Sequence, residues 1–432
     1  MARVLLRLAL IVAVVAASAR STGARMPQQR DVVVVILDDV GSTDLAAVAH
    51  PNIDQLAARG VTFTHAYSMP YCAPARDSFL RGTYDAGDRG EGCGAVPRNA
   101  FTGSEATIAD LLHARGYATG LFGKWHCGPV VGHPWELAPQ QLGFDVWRAG
   151  IASNIRDKNC HLGSFYDWVR VDDGVTTLET QWVDDAVYQA WLAWWTSTVG
   201  PRFSVVSFQG AHEPYETPPG FPAVETDRER YEQMIAHIDA LVGAILRQLG
   251  PEDVVVLFGD NGTPGIGVPS GKRRLSVVEP PYDPTRGKAT SYQCGVRVPF
   301  IVSGGGQPSP GSTSDALVQP SDVMATLAEL LGIPWRPIGQ SGNGSVSFAR
   351  SIVDPRGPGA RSWAFVHHPL YPDRAVIESR WKLRETGGLV KAGEGRELFD
   401  LSKDPLELVN LYGLPKVATE QARLEQILAG LP

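Results

Sequence analysis

Asp31-Val32-Val33-Val34-Val35-Ile36-Leu37-Asp38-Asp39 decides the fold class of this chain. An unbroken, mostly β-branched apolar run suits a strand covered on both faces of a parallel sheet. A half-exposed strand would alternate, and a helix would space its apolar residues by three and four. The run stops abruptly at two adjacent acids. Three other runs have the same form. Residues 117–122 stop at Gly123-Lys124-Trp125-His126, residues 203–208 at Gln209-Gly210-Ala211-His212, and residues 253–258 at Gly259-Asp260-Asn261-Gly262. Amphipathic stretches over 53–59, 108–115, 183–195 and 231–249 read as the helices between them. Strands alternating with helices predict an α/β fold, a large mostly parallel or mixed β-sheet sandwiched by helices. Sites in such folds lie at the carboxyl ends of the strands. Four strand ends carrying acids, amides, lysine and imidazole therefore predict one cleft and a hydrolase site.

The residue types narrow the chemistry. Asp38, Asp39, Asp260 and Asn261 offer oxygen ligands, which suit a hard cation, calcium before magnesium, rather than zinc or copper. The plainer reading is a helix cap and a turn, but adjacent buried acids repel unless a cation offsets them. Arg76, Lys124 and Lys288 are the cations expected around a tetrahedral oxyanion. His126 and His212 are candidate proton carriers. Asn261-Gly262-Thr263 scans as a glycosylation sequon, but a glycan there would block the cleft; Asn343-Gly344-Ser345 is the other match.

Composition sets outer bounds. The chain has 432 residues, 44% hydrophobic and 20% charged, enough for a large core and a smaller second unit. A net charge of −7 without basic clusters argues against nucleic acid as partner. A basic start (Met1 to Arg7), an apolar core (Leu8 to Ala17) and small residues after it read as a secretory signal over residues 1–24, with an uncleaved anchor as the alternative. Export to the periplasm, a lumen or the outside follows, with no stable membrane insertion after cleavage. There are 5 cysteines, at 72, 93, 127, 160 and 294, an odd count that fits one with a separate task.

That one is Cys72, in Met69-Pro70-Tyr71-Cys72-Ala73-Pro74-Ala75-Arg76, closed by Phe79-Leu80-Arg81-Gly82. It has no second cysteine or histidine at zinc-ligand spacing. The Cys-x-Pro-x-Arg run resembles the signature of the type I sulfatases of the alkaline-phosphatase-like superfamily. The segment 52–67 is similar to the stretch that leads to their modified cysteine, and Gly116 to His126 to their second signature. The segment 286–300 resembles the stretch carrying their sulfate-binding lysine, and 397–411 their C-terminal hallmark.

The resemblance implies hydrolysis of a sulfate monoester through formylglycine made from Cys72 by a maturation enzyme. It implies one calcium held by Asp38, Asp39, Asp260, Asn261 and an oxygen of the converted Cys72. Arg76 would stabilise the aldehyde hydrate, and Lys124 and Lys288 would bind sulfate oxygens. Asp260 would serve as base, His212 and Lys288 would assist departure of the alcohol, and His126 would release the covalent sulfo-enzyme intermediate. The substrate would be a sulfated small molecule or carbohydrate. Tyr71, Arg81, Gln293-Cys294 and Cys127 depart from the family pattern, and a Cys127–Cys294 disulfide bracing the site is one expectation.

The catalytic domain is expected over 25–356, up to the Gly/Pro-rich stretch Asp354-Pro355-Arg356-Gly357-Pro358-Gly359. A C-terminal α+β subdomain over 357–432 would hold short antiparallel strands at 364–368, 374–379 and 381–385 and a helix at 419–429. The resemblance implies that this subdomain closes one side of the site, where His367 or His368 would touch substrate; the plainer expectation for both is a core or surface role. The Gly-rich segment 85–101 reads as a cleft wall or a plain loop. Two rival functions share the scaffold: hydrolysis of phosphonate monoesters or phosphodiesters, and non-catalytic binding.

Overall fold

The computed structural model describes residues 30–84, 100–155, 163–266, 276–306, 309–335, 344–369, 372–386 and 395–431. The signal segment, Cys93, Cys160, Asn343 and most of the 85–101 segment lie outside them. Ten of the described strands form one mixed sheet. In chain order these are β1 (Val32–Leu37), β2 (Gly60–Ala66), β3 (Ala118–Lys124), β4 (Val146–Ile151), β5 (Trp168–Asp172), β6 (Val175–Glu179), β7 (Arg202–Ser207), β8 (Val254–Gly259), β9 (Phe300–Ser303) and β10 (Ser312–Val318). Their spatial order is β10-β2-β9-β8-β1-β7-β3-β4-β5-β6.

The four runs read from sequence are neighbours at the centre, β8-β1-β7-β3, and all pair parallel. Their carboxyl ends therefore share one edge. The antiparallel pairings that make the sheet mixed involve β9 on one side and β5 and β6 on the other.

The unbroken apolar run of β1 has a direct explanation. Val32, Val34 and Ile36 enter one core cluster, and Val33, Val35 and Leu37 enter the cluster on the opposite face. Helices Pro51–Arg59, Val183–Ser197 and Asp227–Leu246 cover the second face, where Trp191, Trp194 and Trp195 are buried. Helices Cys72–Arg81, Ile108–His113 and Val323–Leu330 cover the first. Burying apolar side chains on both faces contributes about 25 cal/mol per Å² of apolar area. Thr226 caps the Asp227 helix, accepting from the Glu229 backbone N–H in a reciprocal capping box.

The separate sheet of the C-terminal region has four antiparallel strands: β11 (Ala364–His367), β12 (Asp373–Ile377), β13 (Trp381–Thr386) and β14 (Gly395–Asp400). Helix Ala418–Ala429 packs on it through Leu424 and Leu428. The core of this unit also takes in Tyr67, Met69, Ala75, Val296 and Leu317 from the large sheet's side, so the two sheets share one apolar seam. The fourth strand, β14, had no strand expectation, because the charged start of Gly-Arg-Glu-Leu-Phe-Asp hides a short buried end.

Candidate active site

The site forms where the four central strands end. Asp38 and Asp39 follow β1, Asp260 and Asn261 follow β8, and all four are buried. Lys124 is the last residue of β3, and a register shift between Phe122 and Lys124 re-aims the strand there. Gly123 makes the shift possible: its φ is +89°, and a Cβ would lie 2.1 Å from the Ser207 carbonyl oxygen of β7. His212 lies five residues beyond Ser207, the end of β7. Cys72 opens the helix Cys72–Arg81, where unpaired backbone N–H groups favour negative charge, and that helix stops at left-handed Gly82. Arg76 is one turn further on the same helix.

Non-glycine residues with positive φ gather around this edge: Asp39 (62°), His126 (52°), Ala211 (75°) and Ala289 (74°). Each costs on the order of 1 kcal/mol and persists because its surroundings hold it.

The contacts are close. Cys72 Sγ is 3.4 Å from Asp38 Oδ1 and 3.8 Å from Asp39 Oδ1. Lys288 Nζ donates to Asp39 Oδ1 at 2.5 Å and lies 3.1 Å from Cys72 Sγ. Lys124 Nζ donates to Asp38 Oδ2 at 2.5 Å and to Asn154 Oδ1 at 3.0 Å. Arg76 Nε and Nη2 both lie 2.9 Å from Asp260 Oδ2, and Nη1 donates to Ser207 Oγ and the Lys124 carbonyl. Asp260 Oδ1 accepts from the Asp39 backbone N–H at 3.2 Å. His212 Nδ1 lies 2.7 Å from the Glu213 carbonyl oxygen and Nε2 3.8 Å from Asp39 Oδ2. A carbonyl only accepts, so Nδ1 carries the proton and Nε2 keeps its lone pair.

Burial and charge set the protonation states. Burial pushes the Asp38 carboxyl up, but Lys124, His212 and Arg76 together hold it well below the usual carboxylate range. Burial and the Asp38 charge raise Asp260 to about 7, against Arg76 and Lys124. Burial, reinforced by Lys124, lowers His212 to about 3, and burial with Lys124 and Arg76 lowers His126 well below its ordinary value. Both imidazoles are therefore neutral near pH 7. Burial pushes the Cys72 thiol well up against the two lysines, so as a cysteine it would be a poor nucleophile.

The donor set fits a hard cation. One ligand atom from each of Asp38, Asp39, Cys72 and Asp260 lies within 4.8 Å of the others, all buried. Asn261 donates through Nδ2 to Asp39 Oδ1 at 2.8 Å, while its buried Oδ1 accepts no hydrogen bond. An orphaned amide oxygen beside three carboxylates is the kind of lone pair a calcium ion satisfies.

The structure brings every candidate residue to this one edge: Asp38, Asp39, Cys72, Arg76, Lys124, His126, His212, Asp260, Asn261 and Lys288. The expected Cys127–Cys294 disulfide is corrected: both residues carry thiols and are not joined. Cys127 packs in the core on one face of the sheet, its Sγ against the Trp125 carbonyl, and Cys294 lies on the short helix Gln293–Val296. Asn261 is wholly buried, out of reach of a glycan. His368 is buried with its ring 5.7 Å from Tyr71, and His367 Nε2 lies 3.0 Å from the Tyr84 carbonyl oxygen.

Sequence reasoning missed the supports. Ser207 on Arg76, Asn154 on Lys124 and Tyr231, whose hydroxyl donates to the Asp39 carbonyl at 2.8 Å, carry no motif. A serine ending the apolar run of β7 was the one available signal.

Known proteins resemble this chain in sequence and in fold. The family model described as Sulfatase matches residues 30–333. Arylsulfatase A of Homo sapiens is 28% identical across 91% of this chain and 86% of its own length. The N-acetylgalactosamine-6-sulfatase of Rattus norvegicus is 27% identical across 71% of this chain and 63% of its own. The solved structure of BT4656 in complex with its substrate D-glucosamine-2-N,6-O-disulfate superposes with a TM-score of 0.71 at 17% identity, covering 93% of this chain and 97% of that one.

Proposed function

The chain belongs to the sulfatase family of the alkaline-phosphatase-like superfamily, and we propose that it hydrolyses its sulfate monoester by way of formylglycine made from Cys72. A calcium ion would be held by Asp38, Asp39, Asp260, Asn261 and an oxygen of the converted residue. The observation that carries this reading is the setting of Cys72: a helix N-terminus, 3.1 Å from Lys288 Nζ and 3.4 Å from Asp38 Oδ1, in a cluster of buried charges. Among the described residues that surround Cys72, no second cysteine is bonded to it.

Together the two groups would supply a hydrated aldehyde as nucleophile and a hard Lewis acid. The rest of the chemistry falls to this chain's side chains. The Lys124 and Lys288 ammonium groups offset the charge of the sulfate oxygens, each already fixed by one carboxylate, so little reorganisation is needed when charge develops. Arg76 holds the Asp260 carboxylate through its Nε–H hydrogen bond, with Nη2 2.9 Å from the same oxygen, and orients it beside Cys72. Lys288, its ammonium between Asp39 and Cys72, would assist departure of the alcohol together with His212. Neutral His212, its Nδ1–H fixed on the Glu213 carbonyl, keeps Nε2 ready to hold a proton. His126 has a buried Nδ1 with no hydrogen-bond partner and would take the proton that lets the aldehyde reform.

Residues 1–24 would be an export signal, 25–356 the catalytic domain and 357–432 the subdomain beside it. Among the described residues, no helix is long and apolar enough to cross a membrane. A sulfated carbohydrate is the favoured substrate class, since relatives and structural neighbours are named for sulfated sugars.

The test is the mass of the Cys72 peptide from the native host, paired with rates on aryl sulfate and aryl phosphonate esters. Aldehyde in place of thiol, with sulfate the faster substrate, is expected. An alkylatable Cys72 thiol in active enzyme would sink the mechanism, and faster phosphonate cleavage would sink the substrate class.

A further inference from the structure

Lys288 sits on a segment fastened on three sides. Its backbone N–H donates to the Thr263 carbonyl at 2.7 Å, just past Asn261, and the Ala289 N–H donates to the Pro70 carbonyl at 2.7 Å, just before Cys72. Ala289 takes a left-handed φ of 74°, so this path is held by its neighbours and not by local preference. The third side is the C-terminal region. Glu407, only 1% exposed and itself at φ 59°, grips the segment at both ends. Upstream, Arg286 Nη1 donates to the Glu407 carbonyl; downstream, the Gln293 backbone N–H donates to Glu407 Oε2 at 2.6 Å. The other carboxylate oxygen lies 2.6 Å from Lys382 Nζ on β13, a lysine with no exposed surface. Between these grips, the Ser291 N–H donates to Asp373 Oδ2 at 3.0 Å, and Arg384 holds that carboxylate from β13.

Resting on the reading of Lys288 as a sulfate contact, we infer that Glu407, charge-balanced by Lys382, is a positioning residue for Lys288. It staples residues 286–293 so that the Lys288 ammonium arrives between Asp39 and Cys72. A loop bridged only by its own turn would let a four-carbon side chain wander. The buried Lys382–Glu407 pair is costly to desolvate and adds little stability for its own sake. Its geometry is that of a device for holding a place.

The experiment uses the matured enzyme and an aryl sulfate. Lys382→Met/Glu407→Leu replaces both charges with apolar groups, so neither is buried alone, and removes the acceptor for Gln293. A loss of kcat/KM on the order of 100-fold is expected, with thermal stability close to wild type. Lys382→Met/Glu407→Gln keeps a carbonyl acceptor and should recover most of the activity. In a Lys288→Ala background the Leu pair should cost nothing further, because both changes remove one interaction. A Leu pair that adds its full loss on top of Lys288→Ala overturns the role of Glu407 alone. A Lys288→Ala enzyme with unchanged kcat/KM overturns the reading of Lys288, and this inference with it. Should the Leu pair not fold, Glu407→Asp, which keeps the charge and shortens the arm, must show the same non-additivity.

Discussion

The carboxyl edge of the large sheet and the small C-terminal sheet both bury charge, and they do so in opposite ways. On the small sheet, charges are matched group by group. Lys382 faces Glu407, Arg384 spans Asp373 and Glu397, and, near the join between the sheets, Arg361 forks onto Asp322. At the carboxyl edge, the pairs Lys124–Asp38, Lys288–Asp39 and Arg76–Asp260 are packed so closely that each carboxylate also meets a polar group outside its own pair. Asp38 alone lies near Arg76, Lys124 and Cys72. Matched pairs fix architecture, while a crowded cluster presents several charges to one visitor. The orphaned Asn261 Oδ1 and His126 Nδ1 are the visible residue of that crowding.

The contrast is easiest to break at Cys72. Cys72→Ala should abolish sulfate ester hydrolysis, by a factor on the order of 10⁴ or more. Unfolding should shift by only about 1 kcal/mol, since little volume is lost. Activity assays beside thermal melts would show it, and a collapse in stability instead would mean that the thiol is architectural.

Arg361→Ala is the mirror image. It leaves the Asp322 carboxylate buried without its cation and should cost about 3 kcal/mol of stability, with kcat per folded molecule little changed. Chemical denaturation together with active-site titration separates the two effects.

Lys124→Ala returns to the crowded edge. Losing one fixed donor should lower kcat/KM by about 10² to 10³, and steady-state kinetics would reveal a smaller effect if Lys124 merely balances Asp38.

The subtlest change is at Asp184, behind β7. One of its oxygens accepts from the Gln209 and Gly210 N–H groups, while Oδ2 is buried without a partner. Burial, only partly countered by those N–H donors, raises this carboxyl to about 6 from 3.8. The unfolded chain ionises first, so the stability this group contributes is full below about pH 4, falls as pH rises to about 6, and is flat above. Asp184→Asn keeps the accepting oxygen and removes the ionisation. It should gain about 2 kcal/mol at pH 7 and flatten the stability curve between pH 4 and 6, as read by denaturant titration across pH.

The legible part of the molecule is the part where one residue meets a uniform environment. Val32 to Leu37 are apolar in an unbroken row because both faces of β1 are covered, so burial itself writes the pattern. Strand ends were legible for the same reason, since Asp38, Lys124 and Asp260 each interrupt a run that would otherwise continue. The strands outside the central four, β2, β4 to β6, β9 and β10, were not legible. β6 is exposed along Val-Thr-Thr-Leu, so burial writes no pattern into it; β9 is buried but only four residues long; and β2 pairs with β9 and β10, far along the chain. The supports of the site were hidden likewise. Ser207, Asn154 and Tyr231 touch Arg76, Lys124 and the Asp39 carbonyl by position alone. The Cys127–Cys294 expectation failed for a related reason: nearness to site residues in sequence says nothing of which face of the sheet a thiol enters.

By itself, the sequence determined the α/β class, the central parallel strands and the roster of side chains at their ends, because burial periodicity and abrupt polarity are local properties. Only the tertiary structure decided which oxygen faces which ammonium, which lone pairs are left over, and that Glu407 reaches across 114 positions to the Gln293 N–H. Those are distances between segments, and they exist only once the sheet order has been set.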